Sequence, residues 1–173
     1  MKYRAYRYRL YPNEEQKVLI EKHLGSCRFI YNYALAKKVK AYQVDGTNLS
    51  RFDIQADLPN MKKSDEYCWL KEVNSLSLQA SLANLDSAYT KFFREHKGFP
   101  NFKSKKDSKQ SFSIPQNTKV DFENGRVFIP KFKIGIKAKL HRTFEGIVKS
   151  STITRTSTGK YFISILVEVN ESD

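Results

Sequence analysis

The residues with the clearest chemical potential lie in one stretch where phenylalanines are interleaved with lysines, G-F-P-N-F-K-S-K-K-D-S-K-Q-S-F from Gly98 to Phe112. Lysines neutralise phosphates and aromatic rings stack on exposed bases, so the mixture favours a nucleic-acid surface. It also fits a solvated lysine loop whose phenylalanines fill neighbouring cores, because lysine runs are common on protein surfaces. The residues concerned are Phe99, Phe102, Phe112, Lys103, Lys105, Lys106 and Lys109.

Motifs for catalysis or metal binding are missing from the sequence. It has no glycine-rich phosphate loop, paired-histidine metal motif or nucleophile elbow. Its three histidines lie far apart, and the lone His23 fits a core position better than a ligand or acid–base role. Cys27 and Cys68 lack metal-ligand spacing and fit a reducing cytoplasm. A two-metal nuclease needs converging carboxylates, so the sequence predicts a binder without catalysis, metal or other cofactor.

The charge of the chain points to a polyanionic partner. Its 173 residues include 31 Lys+Arg and 18 Asp+Glu, for a net charge of +13. Residues 2–40 and 103–139 are each strongly basic, whereas 44–72 lean acidic. No apolar run reaches the roughly 20 residues of a membrane span, and no secretory signal is visible. The sequence therefore predicts a cytoplasmic protein with no membrane partner.

The first half of the chain is predicted to be mainly helical. Residues 2–10 alternate as a strand, with Tyr6, Tyr8 and Leu10 on one face. A capping box at Asn13 opens a helix that Gly25 is expected to stop. A second helix after Ser26 would complete either a helix-turn-helix or an ordinary helical hairpin.

Two further helices are expected before the basic stretch. Ser50 caps a short helix that Pro59 should terminate. From about Asn74, a longer helix carries one apolar seam and ends at Gly98. The seam residues are Leu78, Leu82, Leu85, Tyr89 and Phe92.

After the basic stretch, the pattern changes to short strands. Candidates cover residues 111–115, 119–122, 126–130, 132–140, 147–156 and 160–169, with hairpin signals at Asn124-Gly125 and Thr158-Gly159. Short antiparallel strands with a helical insertion after the first predict an α+β fold. The predicted fold is a small antiparallel, OB-like β-barrel to which residues 1–11 contribute a strand.

Several motifs together resemble the TnpB proteins of bacterial insertion sequences, relatives of the type V CRISPR effectors. They occur in the family's order and cover nearly the whole chain. They are R-L-Y-P-N-E-E-Q (9–16), G-S-C-R-F-I-Y-N (25–32), W-L-K-E-V (69–73), L-Q-A-S-L-A-N-L (78–85) and G-F-P-N-F-K-S-K (98–105).

The resemblance implies a wedge barrel from residues 1–11 and 98–173, with a helical recognition lobe at 12–97. It implies two partners, a structured guide RNA and double-stranded DNA carrying a short transposon-adjacent motif. It also implies a bacterial protein that is associated with the nucleoid when bound to DNA. The residues that would recognise the motif are Arg51, Gln55, Ser75, Gln79 and Ser113. The glutamine side-chain amide of Gln79 can form two hydrogen bonds to the edge of adenine. Backbone phosphates would be bound from the two basic blocks, by Arg7, Arg9, Arg28, Lys37, Lys103, Lys105, Lys106 and Lys109.

The chain departs from full-length relatives at its end. In those relatives a RuvC nuclease domain follows the wedge barrel, whereas this sequence stops at Asp173. The expectation is a fragment or gene product that holds the binding half, with Mg²⁺ needed only by the nuclease domain. Two alternatives stay open: a sequence-specific repressor of its own transposon, and the visible part of an intact nuclease.

Overall fold

The computed structural model describes residues 2–170, and its helices and strands make an α+β fold. The strands are β1 Lys2–Tyr11, β2 Gln110–Ile114, β3 Lys119–Asp121, β4 Arg126–Phe128, β5 Ile136–Lys139, β6 Ile147–Arg155 and β7 Tyr161–Val169. The helices are α1 Glu14–Asp45, α2 Arg51–Gln55, α3 Leu58–Lys63, a 3-10 helix Cys68–Glu72 and α4 Ser75–Glu95.

The chain forms two compact units. The sheet unit combines Met1–Leu24 with Ser108–Asp173, and the helical unit is Gly25–Asp107. Across residues 2–170, no helix is both long and apolar enough to cross a membrane.

In the described part of the sheet unit, seven strands pair antiparallel in the order β2-β6-β7-β1-β5-β4-β3. β1 is central, because it pairs with β7 along Lys2–Leu10 and with β5 along Arg9–Tyr11. The predicted alternation of β1 is confirmed: Tyr6, Tyr8 and Leu10 are buried. On β7 the buried side chains are Tyr161, Ile163, Ile165 and Val167. One face of the sheet is therefore core, and the other is outward.

The predicted closed barrel is wrong in this structure, which shows an open sheet. β2 and β3 are its edge strands, and within residues 2–170 no backbone ladder joins them. Barrel closure requires strands that tilt and stagger against one another around the whole circumference. β3 and β4 have three residues each and β5 has four, too few ladder bonds to carry the sheet around. The predicted strand at 132–140 is likewise shortened to Ile136–Lys139, after a turn in which Lys131 has φ 76°.

The predicted break at Gly25 is also wrong, since α1 is one helix of 32 residues. The capping box that opens it is confirmed: the Gln16 backbone N–H donates to Asn13 Oδ1 at 2.8 Å and the Asn13 N–H to Gln16 Oε1 at 3.0 Å. A glycine inside a helix costs only about 1 kcal/mol relative to alanine. The buried positions continue past it at helical spacing, through Ser26, Cys27 and Ile30. No turn therefore separates two helices here.

In the helical unit, α4 supplies the core. Leu78, Leu82 and Leu85 are at most 1% exposed, as the apolar seam predicts, and the Asn74 side chain caps the helix. The capping box at Ser50 is confirmed. Pro59 does not terminate a helix. It lies in the first turn of α3, where the missing N–H has no intrahelical acceptor to lose.

Candidate nucleic-acid interface

The basic stretch forms an exposed segment on the helical unit. α4 ends at Glu95, and the residue that follows it, His96, adopts the left-handed conformation with φ 55°. Residues 96–109 then contain neither helix nor strand, and all of them except Pro100 are exposed. The predicted lysines Lys103, Lys105 and Lys106 all lie in this part. Lys109 is exposed at the start of the sheet unit.

A side chain from α1 fixes the start of this segment. The Asn32 side chain donates from Nδ2 to the Lys103 carbonyl oxygen at 2.9 Å and accepts the Lys103 N–H at 2.8 Å. A local turn follows, in which Ser104 and Asp107 exchange hydrogen bonds and Lys106 N–H donates to Ser104 Oγ at 3.1 Å. The lysines therefore project from an ordered backbone, which lowers the entropy lost when they bind a ligand.

Lys103 differs from its neighbours in its surroundings. Its ammonium lies 4.4 Å from the centroid of the Tyr31 ring. Although the residue as a whole is exposed, desolvation around the ammonium lowers the pKa of Lys103. Lys105 and Lys106 are exposed. Lys103 thus has a packing role in addition to its charge.

The three phenylalanines of the basic stretch have different environments. Phe112 is a core residue of the sheet unit, 3% exposed and stacked on the His23 imidazole at a centroid distance of 4.9 Å. Phe99 is 44% exposed and packs edge-on against Tyr89 and Phe92 of α4. Phe102 is 59% exposed. Of the three rings, only Phe99 and Phe102 are accessible to a base. Phe112 fills a core, as the alternative interpretation of the stretch predicted.

Four of the residues predicted for motif recognition lie on the helical unit. Ser75 and Gln79 are one turn apart on α4, so they share a face; Ser75 is exposed and Gln79 half-buried. Arg51 opens α2, and its Nε lies 3.7 Å from Asp86 Oδ2 of α4. By helix geometry, Asp86 is about 10 Å along α4 from Gln79. Gln55 ends α2 and is half-buried.

Ser113 lies on β2 of the sheet unit and is half-buried, opposite Thr152. The structure thus brings Ser75 and Gln79 together on one helix face and pairs Arg51 with Asp86. The roles of all five in motif recognition stay predictions.

The residues of the first basic block that were predicted to bind phosphates differ in their contacts within the protein. Lys37 forms an ion pair with Asp57, which also accepts the Tyr33 hydroxyl at 3.0 Å. The hydrogen bond to Asp57 raises the pKa of Lys37, and the same carboxylate partly neutralises the charge that a phosphate would meet. Arg28 is half-exposed on α1.

On β1, the Arg7 guanidinium lies 3.9 Å from the Phe162 ring centroid, and Arg9 lies 5.0 Å from that of Tyr11. Both arginines are on the outward face of the sheet, opposite the core residues of β1. Lys137 and Lys139, which were not predicted as site residues, share that face and lie opposite Tyr11 and Arg9. The alternation Ile136-Lys137-Ala138-Lys139, buried and exposed in turn, is the signal that could have found them.

His23 is a core residue, as the sequence suggested. It is 1% exposed, lies between the Phe112 and Phe132 rings, and its Nδ1 is 2.8 Å from the Leu19 carbonyl oxygen. Burial lowers the pKa of His23. Burial also raises the pKa of the Cys27 thiol to about 11, so that thiol is a packed side chain rather than a nucleophile. Among residues 2–170, no group of three or more His, Cys, Asp or Glu side chains could hold a metal ion.

The buried histidine makes stability depend on pH. Because the folded pKa of His23 is lower than the unfolded value near 6.5, the unfolded chain binds more protons below that pH. We expect the free energy of unfolding to fall as pH decreases below about 6.5, with His23 contributing at most about 1.4 kcal/mol per pH unit. Urea unfolding between pH 7.5 and 5.5 measures this dependence. A His23→Gln variant should show a flatter dependence, and an unchanged slope would contradict the assignment.

The chain is similar in sequence to several known proteins. Residues 1–47 match a family described as a helix-turn-helix domain. InsQ of Escherichia coli K12 is 35% identical over 164 residues, covering 95% of this chain and 40% of its own length. A Streptomyces pristinaespiralis protein is 30% identical over 167 residues, covering 95% of this chain and 41% of its own length. Both are named as RNA-guided DNA endonucleases.

A shorter relative is covered almost completely. The virulence protein VsdF of Salmonella dublin is 37% identical over 111 residues, which are 59% of this chain and 93% of VsdF. The chain spans about 40% of the length of the two endonuclease-named relatives. The chain therefore belongs to the TnpB family of insertion-sequence proteins and matches the N-terminal part of its longer members.

Proposed function

We propose that this chain is the nucleic-acid-binding part of a TnpB-like RNA-guided DNA endonuclease, which holds a guide RNA and recognises a short motif on duplex DNA. The names of the two long relatives support the RNA and DNA partners in general. The observation that carries the proposal is the exposed lysine segment, residues 103–106, because Asn32 fixes its backbone and the side chains of Lys105 and Lys106 are exposed to solvent.

In this proposal the two units have different roles. The helical unit, with Ser75, Gln79 and Arg51, is the recognition lobe and reaches base edges of the DNA motif. The sheet unit corresponds to the wedge, and phosphates of the guide RNA are bound both by the sheet unit and by the lysine segment of the helical unit. A glutamine amide on an accessible helix face can form the two hydrogen bonds that distinguish adenine in the major groove. Phosphate contacts then hold the nucleic acid in position without sequence preference.

Direct binding measurements test the proposal. Labelled RNA transcribed from the sequence that flanks the transposon end is titrated with the purified 173-residue chain, and an unrelated structured RNA of equal length is the comparator. We expect tighter binding to the transposon RNA. DNA duplexes carrying the transposon-adjacent sequence are then added with and without that RNA. Motif-specific duplex binding without RNA would overturn the guided role and favour a transposon repressor.

The 173-residue chain is expected to bind target DNA without cutting it. In-line hydrolysis of a phosphodiester uses metal ions that activate water and stabilise the leaving oxygen, and carboxylates must hold those ions. Asp121, the acidic residue that ends β3, instead accepts hydrogen bonds from the Asn124 backbone and side chain. A labelled target is incubated with chain, transposon RNA and Mg²⁺. Nicking that needs Mg²⁺ and survives a mock purification would contradict this prediction.

A further inference from the structure

The outward face of β1, β5 and β4 carries rings and cations in alternation. The register places Arg9 directly opposite Lys139, and Tyr11 opposite Lys137. On the next strand, Arg126 lies opposite Lys137. Phe128 follows two residues later on β4 and shares the face of Arg126. We call this set the sheet-face patch: Arg9, Tyr11, Arg126, Phe128, Lys137 and Lys139.

Within residues 2–170, no carboxylate forms an ion pair with a cation of the sheet-face patch. Like charges directly opposite each other on neighbouring strands destabilise a sheet, and the patch contains two such pairs, Arg9 with Lys139 and Arg126 with Lys137. Asp121 lies opposite Arg126 but accepts its hydrogen bonds from Asn124. A bound anion would offset this repulsion.

The rings of the patch are accessible and held in place. Tyr11 is 45% exposed and Phe128 is 41% exposed. The Arg9 guanidinium lies beside Tyr11, and its buried Nε has no hydrogen-bond partner among the described residues. Phe128 lies over Gly135, where an added Cβ would come within 3.0 Å of the ring. The absence of a side chain at Gly135 therefore lets the ring approach the backbone.

The combination of exposed rings and clustered cations favours single-stranded nucleic acid over a duplex. A duplex presents phosphates at its surface but keeps its bases stacked inside, so exposed rings gain little from it. Sheet surfaces with aromatic side chains bind unpaired nucleotides by stacking, and interleaved cations take the phosphates.

We propose that the sheet-face patch binds an unpaired nucleic-acid segment, with bases stacked on Tyr11 and Phe128 and phosphates paired with the four cations. The inference deepens the proposed function and rests on it in requiring that the chain binds nucleic acid. It adds a second site, on the sheet unit, to the lysine segment of the helical unit.

The test compares an unstructured oligouridylate of about 10 nucleotides with an RNA hairpin of equal charge, both by fluorescence anisotropy. Tyr11→Ala and Phe128→Ala should each weaken oligouridylate binding about tenfold and leave hairpin binding nearly unchanged. Tyr3→Ala is the matched control, because Tyr3 is 48% exposed on the same strand and face but lies opposite Glu168. Circular dichroism melting checks that each variant is folded.

The outcomes separate the two proposals. Equal losses for the Tyr3, Tyr11 and Phe128 variants, or equal losses for hairpin and single strand, would overturn the stacking site. If the wild-type chain binds transposon RNA but the ring variants bind oligouridylate normally, the sheet-face patch fails and the proposed function stands. If the wild-type chain binds neither RNA, both fail. An oligothymidylate of the same length reports whether the patch distinguishes RNA from DNA.

Discussion

Replacing Lys103, Lys105 and Lys106 together by alanine is expected to flatten the salt dependence of RNA binding by about 2 to 3 units in a plot of log K against log salt concentration. Each phosphate contact contributes a slope of roughly −0.7 to −0.9, because binding releases a condensed counterion. All three residues are exposed on the segment that Asn32 fixes. Titrations between about 50 and 200 mM salt measure the slope.

A charge-matched variant separates local contacts from the effect of net charge. Lys63, Lys71 and Lys160 are exposed but lie outside both basic blocks, so replacing them removes the same charge elsewhere. That triple variant should keep the wild-type slope. If the two triple variants change the slope equally, the segment is a solvated loop and the proposed contact is wrong. Asn32→Ala should weaken binding without changing the slope, because the lysines remain but lose their fixed backbone.

Gln79→Ala is expected to reduce binding of the preferred DNA motif by about 1–3 kcal/mol, with the loss concentrated at one base pair. The reason is the loss of a bidentate amide contact to a base edge. Ser75→Ala, one turn earlier on the same face, should weaken motif binding less, since a hydroxyl offers a single contact. RNA binding should change little for both variants. Affinities for a panel of duplexes, each with one motif position changed, measure the effect with RNA present.

Two controls accompany the motif measurement. Gln43 is exposed near the end of α1, and Ser157 is exposed in the turn between β6 and β7, so their alanine variants remove the same groups at positions that are not predicted to contact the motif. Both should bind the motif as the wild-type chain does. If Gln79→Ala weakens matched and altered duplexes equally, the residue contacts the backbone or only packs in the protein, and base recognition by Gln79 is refuted.

Local patterns predicted the elements of this fold well. The capping boxes at Asn13 and Ser50, the α4 seam and the alternation of β1 are confirmed because each depends on contacts within a few residues. The hairpin at Gly125, with φ 65°, follows from glycine's tolerance of that conformation. Such features are determined by residues that lie close to them in the sequence.

Features that depend on distant residues were not predictable in the same way. Gly25 carries a stop signal, but the buried positions on both sides of it favour one continuous helix. Sheet closure depends on the lengths of β3, β4 and β5, which alternation alone overestimates. The Asn32 contact with Lys103 joins positions 71 residues apart, and no spacing rule anticipates it. Lys137 and Lys139 became candidates only once the register placed them beside β1.

The central position of β1 has a consequence for synthesis of the chain. β1 is synthesised before the other strands of the sheet, yet it pairs along most of its length with β7, about 150 residues later. At about 5–20 residues per second, the strand waits roughly 8 to 30 s for this partner. An unpaired strand with alternating apolar residues is a template for aggregation, and charged side chains on it counteract that pairing. We expect Arg4, Arg7 and Arg9 to counteract such pairing in the nascent chain, a role separate from any contact with nucleic acid.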